Sequence, residues 1–330
     1  MTRVRLVDVA ADAGVSKATV SMVLNDSPLV AEKTRIRVRE SLKRTGYVYN
    51  SAAASLRKGQ TLAVGMIVTT LTNPYFAEFT ESIQAELDAQ GLDVLLGVSG
   101  DDPVRQERLL RSMAGRRVDG IVMVPAKNTQ PADVVAFETP MLMLARRVRG
   151  LNVDYVGGDN LNGSHAAAEH LISMHQCRRL AFFGGVAGSS REERESGFLR
   201  AITENGLEQH EQWRPACASD RRLARKAAKE LLSSEPFDGV VCYNDIVAFG
   251  VMDAAAELGL RVGTDLRVTG FDDVADSAFF TPPLTSVAVP ADEAAREAAG
   301  ILLARINGAH VEPKDHIVET TLHPRASCGC

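Results

Sequence analysis

Polar and aromatic residues follow apolar runs at three places in the chain, and their types suit the binding of hydroxyl groups. The segments are Asn73-Pro74-Tyr75-Phe76, Asn244-Asp245 and Phe271-Asp272-Asp273. An aromatic ring packs on the C–H face of a sugar, while amide and carboxylate groups pair with its hydroxyls. The pattern therefore favours a site for a polyol. Taken singly, each of these residues is as typical of a helix cap or a turn.

Other kinds of chemistry have weak support. The run Gly184-Gly185-Val186-Ala187-Gly188 lacks the glycine spacing of a dinucleotide-binding turn, and no Walker lysine follows it. The seven histidines form no His-Glu-x-x-His motif, and no nucleophile elbow is present. His170 is expected to be a packing residue in a helix. The sequence therefore predicts a protein that is not an enzyme and that needs no cofactor.

The cysteines and the apolar runs bear on where the protein works. The five cysteines are an odd number at scattered positions, which argues against a disulfide framework. Cys328 and Cys330 could hold a metal ion or oxidise, but no second pair or histidine cluster accompanies them in sequence, so we expect a loose chain end and no metal site. No apolar run approaches the roughly 20 residues that span a bilayer. With no secretory leader pattern at its start, the protein is expected to be cytoplasmic and without membrane contact.

From residue 60 onward, apolar runs alternate with helical periods, which is typical of parallel sheets with right-handed crossovers. The predicted strands are Leu62–Val68, Asp93–Val98, Gly120–Val124, Met141–Leu144, Arg179–Phe183, Gly239–Cys242 and Arg267–Gly270. The strand–helix–strand order occurs over residues 62–124 and again over 179–242, so we predict an α/β core of two similar parallel-sheet lobes. Ligands of such sheets bind beyond the carboxyl ends of the strands, where the polar and aromatic segments lie.

Charge is distributed unevenly along the chain. Residues 1–60 carry a net charge of +6, and the remaining residues carry −11. A short basic segment suits a polyanionic partner, because counterion release then supplies salt-dependent affinity. A solvated basic face without a partner is the alternative.

The basic segment has the pattern of a helix-turn-helix. An apolar stripe at helical spacing ends at Gly14, Ser16 is a good N-cap for a second helix, and a third helix is expected from about residue 32 to 45, before Gly46. The residues left on the outer surface of the second helix, where base edges could be met, are Lys17, Ala18, Ser21 and Met22. Three-helix modules that bind no DNA share this pattern.

Several segments together carry a family resemblance. They include Val7-Asp8-Val9-Ala10, Ala13-Gly14-Val15-Ser16, Ala18-Thr19-Val20-Ser21, Asn73-Pro74-Tyr75-Phe76, Val118-Asp119-Gly120-Ile121 and Thr281-Pro282-Pro283-Leu284-Thr285. In these segments the chain resembles the LacI/GalR family of bacterial transcription regulators. The resemblance covers nearly the whole chain and implies an all-α helix-turn-helix headpiece joined to a core that is like periplasmic sugar-binding proteins.

The resemblance also implies domain boundaries. The headpiece would cover residues 1–48, a hinge 49–59, and the effector-binding and dimerisation core 60–330. Within the core, one lobe would hold about 60–160 plus 288–318, and the other about 161–287 plus 319–330.

Contacts with DNA are implied in the same way. Base contacts fall to Lys17, Ala18 and Met22. Contacts to the phosphodiester backbone fall to Ser16, Thr19, Ser21, Asn25, Thr34, Tyr47 and Asn50, and minor-groove contacts fall to Ala53 and Leu56. Met22 stands where the family usually has Arg, and a thioether suits a thymine methyl better than guanine.

Effector contacts are implied for Tyr75, Phe76, Arg194, Asn244 and Asp272. Ala145-Arg146 replaces a commoner Asp-Arg and, with Val241-Cys242-Tyr243-Asn244, is similar to the branch of maltose-system repressors. If Arg146 and Arg194 both face the cleft, they leave room for a phosphate or carboxylate. The expected effector is therefore a sugar or a phosphorylated or acidic metabolite, with solvated surface arginines as the alternative.

The function implied is that of a homodimeric regulator, a repressor by expectation, on double-stranded operator DNA. A small molecule between the lobes would switch its affinity for the operator. The rival interpretations are a sugar-binding protein of transport type and a nucleotide-dependent α/β enzyme.

Overall fold

The computed structural model describes residues 4–24, 26–47 and 60–330. The chain divides into two compact units, Met1–Thr61 and Leu62–Cys330. We call the described residues 4–47 the headpiece and the second unit the core unit.

The headpiece consists of three helices: α1 (Leu6–Asp12), α2 (Lys17–Leu24) and α3 (Glu32–Thr45). Two glycines end helices as predicted. Gly14 and Gly46 have φ angles of 60° and 66°, the left-handed conformation that suits a residue without a Cβ atom. At the start of α2, the Ser16 Oγ accepts a hydrogen bond from the Thr19 amide at 3.1 Å, so Ser16 is the predicted N-cap.

A small apolar core and one polar link hold the headpiece together. The core includes Val9, Val20 and Val38, all fully buried. The buried Ser41 of α3 donates a hydrogen bond of 2.6 Å to Asp12 at the end of α1, and Arg44 pairs with the same carboxylate. These contacts hold α1 against α3. α2 packs against α3 as well.

The core unit contains two sheets. Their strands are β1 (Ala63–Val68), β2 (Asp93–Val98), β3 (Gly120–Met123), β4 (Met141–Leu144), β5 (Asp154–Gly158), β6 (Leu180–Phe183), β7 (Gly239–Cys242), β8 (Arg267–Asp272), β9 (Thr285–Ala288), β10 (Asp315–Val318) and β11 (Thr321–His323). One sheet has six parallel strands in the order β10-β5-β4-β3-β1-β2. The other has the order β11-β9-β8-β7-β6 and is parallel except for β11. The fold class is therefore the predicted one, an α/β core of two sheets, with one antiparallel edge strand that was not expected.

Helices connect the strands as parallel crossovers require. They are α4 (Pro74–Asp88), α5 (Pro103–Gly115), α6 (Ala132–Val135), α7 (Asn160–His175), α8 (Ser189–Glu204), α9 (Arg221–Ser234), α10 (Asp245–Glu257) and α11 (Ala291–Ile306). Each sheet with its flanking helices forms a lobe, which we call the six-stranded lobe and the five-stranded lobe.

The sequence prediction missed four strands, namely β5, β9, β10 and β11. β5 is fully buried, but two glycines occupy its five residues. β10 and β11 lie at sheet edges, and apart from the buried Val318 their residues alternate between exposed and half-buried, so neither forms an apolar run. The seven predicted strands are all present, with ends that differ by at most two residues.

A buried carboxyl group organises the end of the five-stranded sheet. Asp245, at the start of α10, is fully buried and accepts hydrogen bonds from the Val274 amide and the Ser277 hydroxyl at 2.8 Å each, and a third from Ser286 of β9. Burial raises the pKa of Asp245 to about 8, and the nearby Asp272 carboxyl acts in the same direction. The folded protein therefore keeps a proton on Asp245 in a pH range where the unfolded chain has lost it.

Asp245→Asn should change how stability depends on pH. Because the folded pKa of Asp245 lies above its ordinary value of 3.8, the stability it contributes is present at low pH and is lost as the pH rises through about 8. The free energy of unfolding of the variant should therefore rise relative to the wild type between pH 5 and pH 9, measured by urea denaturation. Asp265→Asn is the control, because an Arg261 hydrogen bond lowers the pKa of Asp265 to about 2 and its effect is confined to acid. A difference between Asp245→Asn and wild type that falls as the pH rises would contradict the prediction.

Candidate functional site

The six predicted effector residues line one cleft of the core unit: Tyr75, Phe76, Arg146, Arg194, Asn244 and Asp272. The cleft lies between the two lobes, where the carboxyl ends of their strands meet. Its cavity has a volume of about 50 Å³, and on the same measure one water molecule needs about 10–15 Å³, so the cavity holds only a few waters. A larger ligand must therefore separate the lobes or move side chains that now fill the cleft.

Two asparagines of the cleft act both as caps and as donors. The Asn73 Oδ1 accepts from the Tyr75 amide at the start of α4, and its Nδ2 donates across the cleft to Asp272 at 3.1 Å. Asn244 caps α10 in the same way, with Oδ1 accepting from Val247 and Nδ2 donating to the Ser219 hydroxyl. Each asparagine is therefore both a helix cap and a cleft residue, because its side-chain oxygen accepts one hydrogen bond while its side-chain nitrogen donates another.

Arg194 of α8 is the central cation of the cleft. It is buried, and its guanidinium lies 3.6 Å from the centre of the Phe271 ring. Its Nε donates to Asn160 at 2.7 Å, one terminal nitrogen donates to the Tyr243 carbonyl, and the other lies 3.3 Å from an Asp272 oxygen. All three sides of the guanidinium plane are thus occupied by acceptors.

Asp272 is held in an unusual conformation at the end of β8. Its φ angle is 97°, which costs energy for a residue with a Cβ atom and is found mostly at functional sites. Burial raises the pKa of Asp272, while the Arg194 guanidinium and the Asn73 amide lower it in part. The Asp272 carboxyl is thus in contact with Arg194 of its own lobe and with Asn73 of the other lobe.

Arg146 faces the cleft as the sequence hypothesis required, but it already has an acidic partner. Its guanidinium donates to Asp101 at 2.7 Å and to the Pro125 carbonyl at 3.2 Å. Asp101, Pro125 and Arg146 follow β2, β3 and β4 in turn. Each of the two cleft arginines is therefore paired with one carboxyl group.

The sequence prediction missed Tyr243, which lies between β7 and Asn244. Its hydroxyl shares a hydrogen bond of 2.8 Å with Ser190, and Gly185 (φ 78°) packs on its ring so closely that a Cβ atom there would lie 2.7 Å from the ring. Its position directly after an apolar strand was the available signal. Cleft residues that the sequence did not single out for this role are Thr69, Thr70, Ala145, Ser190 and Ser219.

The headpiece presents part of the predicted DNA surface. Lys17 and Ala18 are exposed on α2, and Ser16 is exposed before it. Met22 is half-buried against the headpiece core, not fully on the outer surface as expected, because its neighbour Val23 is buried and one residue turns a helix by only about 100°. The remaining backbone candidates within the described residues, all half-buried, are Thr19, Ser21, Thr34 and Tyr47.

Asn25, Asn50, Ala53 and Leu56 lie outside the described residues. In the described part of the chain, no helix combines the length and the apolar character needed to cross a bilayer.

A helix-turn-helix unit together with a two-lobed α/β unit that has a polar cleft defines a class of protein, namely a DNA-binding regulator with a small-molecule site. The model of the family described as "Bacterial regulatory proteins, lacI family" matches residues 5–50. The model of a periplasmic binding protein-like domain matches residues 168–328.

Relatives extend the match to nearly the full chain. The HTH-type transcriptional repressor PurR of Haemophilus influenzae (strain PittEE) is 32% identical over 302 residues, which cover 91% of this chain and 90% of that protein. The chain therefore belongs to the lacI family of bacterial regulatory proteins. The maltose-system branch stays a prediction.

Solved structures agree in fold. A complex of the transcriptional regulator CelR with cellobiose is 29% identical, has a TM-score of 0.75, and is matched over 98% of this chain and 100% of that one. A Lac repressor dimer bound to operator and the anti-inducer ONPF has a TM-score of 0.88 with 99% of both chains covered. At 24% identity, this second likeness shows the fold alone.

Arg194→Lys should destabilise the core unit although it keeps the charge. An ammonium group cannot reach three acceptors in one plane or stack on Phe271, so buried acceptors lose their partners at a cost of about 1–3 kcal/mol. Arg222→Lys, at the start of α9 where the side chain is 94% exposed, should change stability by less than about 0.5 kcal/mol. Urea unfolding of both variants measures the difference, and equal effects would rule out a special role for the Arg194 contacts.

Proposed function

We propose that the protein is a homodimeric repressor whose affinity for an operator is switched by a neutral, hydroxyl-rich metabolite bound in the cleft. The observation that carries this proposal is the meeting of Tyr75, Phe76, Arg146, Arg194, Asn244 and Asp272 in one interlobe cleft. A regulator of this kind acts on the chromosome, so we place it in the cytoplasm.

The charge balance of the cleft supports a neutral ligand. Arg194 is paired with Asp272 and Arg146 with Asp101, so a phosphate would have to compete with a carboxyl group for each arginine. Hydroxyl groups can instead insert between donors and acceptors that are already in place. The edge-to-face pair of Tyr75 and Phe76 offers a ring surface for C–H groups, and the CelR relative binds a disaccharide, cellobiose.

Switching requires contacts that differ between arrangements of the lobes. Bonds that cross between the lobes include the one that Asn73 donates to Asp272. They also include the contacts of Arg147 and Arg149, which follow β4, with Ser189, Glu192 and Glu193 of α8. A ligand that replaces the bond between Asn73 and Asp272 changes the free energy of this arrangement of the lobes. Operator affinity and effector affinity must then change by the same factor.

Dimerisation is supported by an exposed edge of the six-stranded sheet. β2 lies at that edge and exposes Leu95 and Leu96, apolar residues that a second copy would cover. The Lac repressor structure with the same fold is a dimer on its operator. Two headpieces would then bind two half-sites of a two-fold operator.

Lys17→Ala and Met22→Ala should each alter the preferred base at one position of a half-site, by roughly 1–3 kcal/mol for a base contact that is lost. Ser16→Ala removes the cap of α2 and should weaken binding to all operators alike. Lys43→Ala, an exposed residue near the end of α3, is the matched charge control. Selection from a random operator library measures the preferences. An unchanged preferred sequence in both the Lys17 and Met22 variants would contradict the proposal.

Neutral disaccharides such as cellobiose and maltose should raise the melting temperature of the full chain, because a ligand stabilises the state it binds. Phe76→Ala should weaken binding by about 1 kcal/mol, or roughly fivefold in Kd, through loss of ring contact. Phe279→Ala, which removes an exposed ring, should leave binding unchanged. Titration calorimetry with each sugar and its phosphate tests the charge argument. Tighter binding of the phosphate would overturn the proposal of a neutral effector.

A further inference from the structure

Four side chains with metal-binding atoms meet on the five-stranded lobe, outside the effector cleft. They are His170 and His175 of α7, together with Cys328 and Cys330, which follow β11. Their sulfur and ring nitrogen atoms all lie within 4.8 Å of one another. The loose chain end expected from the sequence is not observed, because Cys328 is fully buried in a short 3₁₀ turn, Ala326–Cys328.

Five of the six separations between these atoms are close to those of a tetrahedral site, and the sixth, between Cys328 and His175, is within 4.8 Å. The Nε2 atoms of the two histidines are 3.3 Å apart, and the two sulfur atoms are 3.3 Å apart. Cys330 Sγ lies 3.5 Å from His170 Nε2 and 3.4 Å from His175 Nε2, and Cys328 Sγ lies 3.4 Å from His170 Nε2. Zinc bonds of about 2.3 Å to sulfur and 2.0–2.1 Å to nitrogen place tetrahedral ligands roughly 3.3–3.8 Å apart.

The backbone that carries the cysteines is anchored by the lobe itself. The buried Ser327 hydroxyl donates to the Val268 carbonyl of β8 at 2.6 Å and accepts from the Thr285 amide of β9 at 2.8 Å. Gly329 has a φ angle of 97° and packs on the Gly263 carbonyl, where a Cβ atom would come within 2.8 Å. A glycine between the two cysteines therefore lets both thiols turn toward the same point.

The histidines are placed by the end of a helix. His175 is the last residue of α7, and Gln176 caps the helix in a left-handed conformation with φ 60°. The rings of His170 and His175 meet edge to face with centroids 5.0 Å apart. Both histidines are half-buried, and Cys330 is exposed, so an ion can reach the group from solvent.

We propose that His170, His175, Cys328 and Cys330 bind one zinc ion in a closed structural site. Two thiolates and two imidazoles complete the tetrahedron, which leaves no open position for a substrate, and S₂N₂ tetrahedral sets select zinc among common divalent ions. On binding, each thiol releases its proton to solvent. The ion ties the 328–330 segment to the end of α7.

The site lies at the opposite end of α7 from the effector cleft. Asn160, the first residue of α7, accepts the hydrogen bond from Arg194, and His175 is about 22 Å further along the helix axis. Zinc at one end of α7 would therefore fix the helix that positions the cleft arginine at the other.

The test uses the untagged full chain, which is first freed of metal by a chelator in the presence of a thiol reductant. It should then bind one Co²⁺ per chain. The spectrum should show the visible bands of tetrahedral cobalt and the near-ultraviolet charge-transfer band of cobalt–thiolate bonds. Zinc should displace the cobalt and raise the melting temperature. Loss of outer-shell partners alone typically weakens metal binding 10–100-fold, so His175→Gln and Cys330→Ser should each weaken it by at least about tenfold.

Cys217→Ser and His210→Gln, which lie outside the cluster, are the controls and should bind like the wild type. A cobalt spectrum without the thiolate band in the wild-type protein would overturn the proposal, whatever the stability of the variants. So would unchanged affinity in both cluster variants, or a Cys328–Cys330 disulfide that persists under reductant, detected by counting free thiols.

Discussion

The buried pair of Arg194 and Asp272 is the contact on which the cleft depends. A guanidinium taken out of water is stable only when its donors are satisfied, and Arg194 achieves this with Asn160, the Tyr243 carbonyl and Asp272. Asp272 in turn accepts from Asn73 of the other lobe. The Asp272 carboxyl thus pairs with the charge of Arg194 in the five-stranded lobe and also contacts the six-stranded lobe through Asn73. A ligand in the cleft must exchange contacts with this pair without leaving either charge unpartnered.

The sequence predicted the cleft well because parallel sheets bring the carboxyl ends of their strands to one edge. Tyr75, Asn244 and Asp272 are far apart in the chain, yet each follows an apolar run, and this was enough to place them together. The headpiece helices were predicted equally well, since Gly14 and Gly46 end helices through a backbone conformation that few other residues adopt.

What the sequence could not supply are contacts without a local pattern. His170 and Cys328 are separated by 158 positions, and no periodicity or spacing motif links them. Only the packing of Ser327 against β8 and β9 brings the cysteines beside α7. The same limit applies to charge: the acidic partner of Arg146 is Asp101, which follows a different strand, so the sequence left both cleft arginines free to bind an anion.

The two lobes contribute to the cleft from different elements. In the five-stranded lobe, Arg194 is stacked and fully bonded, and the neighbouring Asp245 is held by three donors. The six-stranded lobe offers Arg146 and Asn73 from the segments that follow its strands. Because Asn73 and Asp272 bond to each other, an effector that contacts either one must exchange that bond and adds few new ones. Only the difference in free energy between the contacts that are replaced and the contacts that replace them can change the arrangement of the lobes. We therefore expect a coupling of about 1–3 kcal/mol, enough for a graded switch of roughly 5- to 150-fold in operator affinity.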